Sequence, residues 1–439
     1  MRRRLATSHG EYLGWSFAHA MIHEALMERV ETAGRLVQWS SLCADVLTDN
    51  PRTIVRRARH LLRANRTEEA IAPLHQAVQR ELQVGELGRA RELLTLRNDV
   101  LDTLDLDPND PRRIRSDLLE SALKRSFGRI KEAYAAGEVN LRRARSFGDA
   151  KLVCEALHVH ASSVVHQGDP ERAQQVIEEA MDIARQLRLK SYPELCLATC
   201  FIHIRLGALD KCMERGREAV FSGEALGEPG IVAKGYALMA RAARQAGDLT
   251  SAEFYLQEAR LRFEREGDRM GQASSWNTLG ELKRESGDLE GAEAAYTEAM
   301  SRYDACGMAA GCYSRMNLGL TLTTAGKNQA AIDRLVEVRE EAARVGHSAI
   351  LTALHVIRLP ALVSLEEWRT VELELAEAEE KIPKAKLVDV DIAHFARMAA
   401  QRCDAAERHE LARRCWTIAH DQWTAMHRED EAAEAASHL

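Results

Sequence analysis

The chain has 439 residues, 46% of them hydrophobic and 5% aromatic, so a large buried interior is feasible and a disordered chain is excluded. Its 60 basic and 67 acidic side chains leave a net charge of −7, and without a basic footprint nucleic acid is disfavoured as a partner. Ala, Leu, Glu and Arg dominate over 9 Pro and scarce β-branched runs, which points to an all-α fold.

In chain order, the first pattern is GWSFAHAMIHEALMERV at 14–30, where Phe17 and His19 enter an amphipathic helix carried by Ile22, Leu26 and Val30. Three helical patterns follow at about 52–64, 67–83 and 86–104. Asn65 and Gly85 are the turns between them, and Pro73 is expected to kink the second helix or shift its start. LDLDPNDP at 104–111 then breaks the pattern, because Pro108 and Pro111 disfavour helix at the residues before them. The expected division is 1–50, 51–110 and 111–439.

From there the sequence repeats. Gly128, Gly168, Gly207, Gly247, Gly287 and Gly326 recur at steps of 40, 39, 40, 40 and 39. A second series, Gly148, Gly227, Gly267, Gly307 and Gly346, is offset by about half a period. Each repeat therefore has two turns and two helices, with Gly suited to helix C-termini that pass through positive φ. Asp169, Asp248 and Asp288 follow first-series glycines as N-caps, and Pro170 sits at a first helical position. Five residues past each first-series Gly stand Ala133, Ala173, Cys212, Ala252, Ala292 and Ala331. Two helical turns on come Asn140, Ala180, Ala219, Ala259, Ala299 and Val338. Small residues at fixed places mean close helix–helix approach. Val371 and Ala412 hold the small position in two weaker copies, the last followed by Trp416 and Ala419.

The clearest copy is WNTLGELKRESGDLEGAEAAYTEAM, where Trp276, Leu279, Gly280, Gly287, Ala292, Tyr296 and Ala299 resemble the tetratricopeptide-repeat signature. Tyr236, Ala240, Gly247, Ala252, Leu256 and Ala259 resemble it in the copy before, and Leu318, Gly319, Gly326, Ala331 and Leu335 in the copy after. The resemblance covers about 114–420 and implies a right-handed α-solenoid of about seven to eight helix pairs, with a repeat longer than the usual ~34 residues. The segment 14–30 resembles the last strand and helix of the winged-helix segment in bacterial signal-transduction ATPases, which are fused to kinase, cyclase or DNA-binding modules. That resemblance implies the regulatory arm of a larger protein, with kinase or ATPase machinery outside this chain; an ordinary capping helix pair is the alternative.

The sequence carries no catalytic or nucleotide-binding motif. The sequence has no P-loop (Gly326-Lys327 is followed by Asn328), no dinucleotide fingerprint, no kinase catalytic loop and no nucleophile elbow. His19 and His23 share a helix spacing, but two ligands do not make a metal site. His158 and His166 project near a groove while reading most simply, with His160, as ordinary polar positions. The 9 Cys form no C-x-x-C pair and read as small apolar fillers in a reducing, cytoplasmic setting, where Cys196 and Cys200 pack in the core. Trp276, Trp368, Trp416 and Trp423 read as core or cap residues. No apolar run approaches the roughly 20 residues of a membrane span, and the start MRRRLATSHGEYLG lacks the apolar core of a signal peptide.

In the resembled family the first helix of each pair lines a concave groove. Carried through the Trp276 register, the outward positions are Lys234, Arg241, Arg244 and Gln245, then Asn277, Glu281, Arg284 and Glu285, then Tyr313 and Met316, with Leu320 and Thr323 beyond. The groove is expected to run from basic through mixed charge to apolar. Arg241, Arg244 and Arg284 are placed to hold a carboxylate or acidic peptide through charge-assisted hydrogen bonds, a solvated charged face being the alternative. The expected function is a non-catalytic protein- or peptide-binding scaffold or sensor arm of a bacterial signalling regulator, with no cofactor, no metal and no membrane contact. Two alternatives stand beside it: the C-terminal part of an ATP-dependent enzyme, with possible contact to its catalytic domain, and a peptide-sensing transcriptional regulator, for which 1–50 is too short a DNA-binding head.

Overall fold

A computed structural model describes residues 6–9, 14–17, 20–47, 53–306, 311–345, 348–385, 387–426 and 428–439. His19, Gly307 and Gly346, singled out above, lie outside the described residues.

Strands β1 (Ala6–His9) and β2 (Gly14–Phe17) pair antiparallel, with Ala6 opposite Phe17, and lead into α1 (Ala20–Thr32). The strand expected at Phe17 is thus one arm of a hairpin, and the all-α description applies from residue 20 onward. Then come α2 (Leu36–Val46), α3 (Ile54–Arg63), α4 (Thr67–Val84), α5 (Leu87–Asp102) and α6 (Pro111–Ser126). Asn65 and Gly85 turn the chain at positive φ. Pro73 is buried inside α4, which still starts at Thr67.

The chain divides into two compact units, Met1–Leu82 with Gly88–Leu119, and Gln83–Leu87 with Glu120–Leu439. The first packs α2 on α3 and centres on Ala58, Leu61, Leu74, Ala77 and Val78.

The second unit continues with α7 (Ile130–Phe147), α8 (Ala150–Gln167), α9 (Pro170–Gln186), α10 (Tyr192–Arg205), α11 (Leu209–Leu226) and α12 (Pro229–Gln245). Next are α13 (Leu249–Glu266), α14 (Arg269–Glu285), α15 (Leu289–Cys306), α16 (Gly311–Thr324) and α17 (Asn328–Val345). It ends with α18 (Ser348–Ile357), α19 (Leu359–Ser364), α20 (Trp368–Ala385), α21 (Val390–Ala405), α22 (His409–Ala425) and α23 (Glu429–Ala436). Consecutive helices pack as antiparallel hairpins, α8 with α9 through α16 with α17 and then α21 with α22, and each second helix also packs on the next first helix. This is the architecture of an α-solenoid.

The turns explain the period. Gly128, Gly168, Gly207, Gly247, Gly287 and Gly326 all have positive φ, and Glu366 and Glu407 take the same left-handed conformation one and two repeats further on. The six small residues after those glycines are all fully buried, and Val371 and Ala412 extend the row. Asp169, Asp248 and Asp288 each accept a backbone N–H three residues on, as N-caps do. One first helix is split. Pro360 cannot donate to the preceding turn, and the chain breaks at Arg358 between α18 and α19.

Candidate functional site

The first helices of the second unit share an inner face, and α21 closes onto it. Arg284 Nη1, near the end of α14, donates to Asp391 at 2.9 Å across 107 residues of sequence. Burial opposes the charge on Arg284, but Asp391 and the Tyr296 hydroxyl outweigh it and hold its pKa above the ordinary guanidinium range.

One repeat earlier, Arg244 on α12 lies 3.2 Å from Glu281 and also pairs with Glu285, both on α14. Burial lowers its pKa, and the two carboxylates more than reverse that. Glu285 is itself pushed up by burial despite Arg244. Asn277 Nδ2 donates to Glu281 at 2.9 Å, while Asn277 Oδ1 accepts from Ser314 Oγ at 2.8 Å and Asn317 Nδ2 at 3.3 Å. A polar network therefore links α12, α14 and α16, and its charges largely satisfy one another.

Arg241 stands outside that network. Its guanidinium lies 5.6 Å over the Phe201 ring of α10, and Phe201 stacks on His166 of α8 at 5.1 Å. The three side chains form a ladder across three successive first helices. Burial lowers the Arg241 pKa; Glu281 opposes this, while Arg244 and Arg205 add repulsion. Arg205, the last residue of α10, is exposed; among the described residues neither Arg205 nor Arg241 has an ion-pair partner. Tyr313 of α16, 42% exposed, faces both guanidiniums. Asp389, the N-cap of α21, faces Arg205, and burial together with Asp391 raises its pKa to about 6.

The other expected groove residues are placed as follows. Lys234 is half-buried between Glu194 and Asp268, whose carboxyls burial pushes up against its pull. Gln245 is exposed at the end of α12. Met316 is half-buried against the core, and Leu320 and Thr323 are fully buried, so the apolar end expected along α16 is interior packing beyond Tyr313. His158 is partly buried beside Arg125, and burial drives its pKa down to about 4. His160 packs under Gly137 and beside Tyr134, between α7 and α8.

Phe201, Arg205 and Asp389 were not among the expected positions. The repeat carries a signal for the first two, since they precede Arg241 and Gln245 by 40 residues. Asp389 carries none, because its approach to α10 depends on how α21 folds back. A separate surface pocket of about 430 Å³ lies among second helices and the start of α10, lined by Arg185, Tyr192, Pro193, Phe221 and Leu226 among others.

Residues 232–305 match the family model of the tetratricopeptide repeat. A search of the curated proteins finds no match. Among solved structures, the chain is similar to a Rap protein complexed with competence and sporulation factor, at 13% identity and a TM-score of 0.64, covering 85% of this chain and 100% of that one. It is also similar to the Rap conjugation gene regulator of plasmid pLS20 in complex with a Phr peptide, at 14% identity and a TM-score of 0.53, covering 81% and 96%. The apo form of the quorum sensor NprR from B. thuringiensis is similar at 12% identity and a TM-score of 0.53, covering 81% and 99%. At these identities the likeness is one of fold.

Proposed function

We propose that this tetratricopeptide-repeat chain is a non-catalytic regulatory scaffold that captures a peptide or extended protein segment on the inner face of its second unit. The observation that carries the reading is the shared inner face itself. Side chains of α10, α12, α14, α16 and α21 face one another across this surface, and among the described residues Arg205 and Arg241 have no ion-pair partner there. Lys234 and Arg241 are the anchors on offer; Tyr313, Arg244, Gln245, Asn277, Glu281, Arg284, Glu285 and Met316 shape the walls. Long helical faces of this kind bind through buried area and a few anchors.

The Rap structures solved with competence and sporulation factor and with a Phr peptide support this reading by likeness of fold. No helix among the described residues is long and apolar enough to cross a membrane. A cytoplasmic setting fits the reading, as does an arrangement in which any phosphotransfer or nucleotide hydrolysis belongs to another protein or segment.

The test is thermal melting of the full chain with a random hexapeptide pool, followed by mass spectrometry of the peptides retained. A ligand at a hundred times its Kd stabilises by about 2.7 kcal/mol, a shift of several degrees. No retained peptide and an unchanged melting curve would overturn the reading. ATP hydrolysis by the chain would overturn its non-catalytic part.

A further inference from the structure

One linker of the second unit departs from its neighbours, and a pocket lies beside it. α8, α12 and α14 each begin two residues after a glycine of positive φ, at Ala150, Pro229 and Arg269. The position 40 residues past Gly148 and 39 before Gly227 holds Arg188 instead, at a left-handed φ of 48°. Here the next first helix, α10, starts only at Tyr192 and runs for 14 residues, against 18 in α8 and 17 in α12 and α14. The late start leaves the pocket of about 430 Å³. Leu189 and Pro193 line it from the linker and α10, and Phe221 and Leu226 line it from α11. Phe221 is 75% exposed, so it contributes little to the core. Arg188 and Lys190 border the same space, both exposed, and no carboxylate pairs with either among the described residues. Arg185 and Tyr192, also on its border, are already engaged: Arg185 pairs with Asp182 at 2.8 Å, and the Tyr192 hydroxyl donates to Glu218 at 2.6 Å.

We propose that this pocket binds a small amphiphilic carboxylate, its aryl or medium-chain alkyl tail against Phe221, Leu226, Leu189 and Pro193 and its head group on Arg188 and Lys190. The volume falls among the roughly 300–1,000 Å³ of small-molecule sites, which join an apolar lining to a few polar groups. Two neighbouring cations without a counter-charge favour an anion over a neutral or cationic head, and the guanidinium fork suits a carboxylate. The backbone adds a separate argument. An arginine held in the left-handed conformation, where the flanking repeats have Gly, bears strain that a glycine would relieve, and strain of this kind marks a side chain with a role. The site shares no residue with the inner face and is independent of whether a peptide binds there.

The experiment titrates the full chain with five probes, followed by calorimetry and by saturation-transfer NMR of the probe. Octanoate and 4-phenylbutyrate carry tail and head together. The amide of 4-phenylbutyrate removes the charge, 4-phenylbutylammonium reverses it, and acetate removes the tail. We expect octanoate or 4-phenylbutyrate to bind about tenfold or more tightly than the amide, as charge-assisted hydrogen bonds imply, and acetate and the ammonium probe not to bind measurably. The double variant Arg188→Gly/Lys190→Gln should bring acid and amide to equal affinity. It keeps the fold, because Gly is the residue of the flanking repeats at that turn. Phe221→Ala removes an exposed ring and should weaken acid and amide alike, leaving their ratio unchanged. Arg413→Gln, which removes an exposed arginine of α22 paired with Glu410, should change nothing. Equal binding of acid and amide by the natural chain overturns the proposal, as does an acid preference that survives in the double variant. Affinity unchanged by Phe221→Ala places the probe elsewhere and overturns it too, and so does binding of none of the five probes.

Discussion

Two glycines separate the effects that a methyl group has in this fold. Gly280 on α14 lets the second helix approach, and a Cβ built there would lie 2.6 Å from the ring of Tyr296, which is fully buried and has nowhere to go. Gly280→Ala gains up to about 1 kcal/mol of helix propensity and loses about 1–3 kcal/mol to overpacking. The net expectation is destabilisation, read as a lower urea midpoint. Gly230 on α12 has open space where its Cβ would point, so Gly230→Ala should raise the midpoint by about 0.5–1 kcal/mol. If both variants moved the same way, the α14–α15 contact would not have the closeness described. Buried histidine gives the second prediction at this scale. His75 in α4 is driven down to about pKa 3 by burial, with Arg97 and Arg115 adding repulsion. Its folded value lies below its unfolded value of about 6.5, so the native state binds fewer protons. The contribution to stability is complete above pH 6.5 and is lost as pH falls toward 3, by at most about 1.4 kcal/mol per pH unit. His75→Phe should therefore flatten the fall in melting temperature between pH 7 and pH 5; parallel curves for variant and natural chain would refute it.

Among the elements, α20 carries the most concentrated electrostatic commitment. Glu374, 6% exposed, accepts from Arg339 at 2.7 Å, from Arg358 at 2.5 Å and from His355 at 2.6 Å, tying α20 to α17, to α18 and to the break before α19. Burial pushes this carboxyl up, but the bonds from His355 and Arg339 win and hold its pKa below the usual range. That contribution is present above the unfolded carboxylate pKa of about 4.3 and is lost as pH falls through the folded value. Glu374→Ala strands the buried Arg358 guanidinium beside the buried His355 and should cost about 3–5 kcal/mol, with α18 to α20 losing hydrogen-exchange protection first. A change of stability within about 0.5 kcal/mol would show the network to be idle. The split first helix here also shows which parts of the fold the sequence makes legible. Wherever the turn residue is Gly, the repeat is visible in the sequence at once. At Arg188, Glu366 and Glu407 the same left-handed turn is built from residues with a Cβ, which bear the strain for a modest cost, so a search for glycines passes over them. The site divides in the same way. Arg241 and Tyr313 follow from the repeat register, because that register says which way a first-helix side chain points. That Arg244 and Arg284 are already neutralised does not follow from it, since their partners stand one repeat away and 107 residues away.

At the scale of the whole second unit, a solenoid is held by nearest neighbours, and its local stability should rise and fall repeat by repeat. Two sets of bonds here depart from that rule. Arg284 reaches Asp391, and Arg402 of α21 donates to the Thr323 carbonyl at 3.3 Å, 79 residues and about two repeats away. Both tie α21 to helices far earlier in the chain, so the start of α21 should open together with the end of α14. Hydrogen exchange tests this. Arg284→Gln removes a pair whose side chains are 13% and 20% exposed, a loss of about 1–3 kcal/mol for a partly buried charged bond. Exchange should then quicken roughly five- to a hundredfold in the last turn of α14 and the first turn of α21 alike, while α8 and α9 keep their protection. Asp391→Asn should produce the same pattern from the other side of the bond. Faster exchange confined to α14 would mean that the unit opens as a simple row of repeats. Coupled opening would mean that closure of the inner face is a cooperative event, which a ligand held between α10, α12 and α16 would stabilise by mass action.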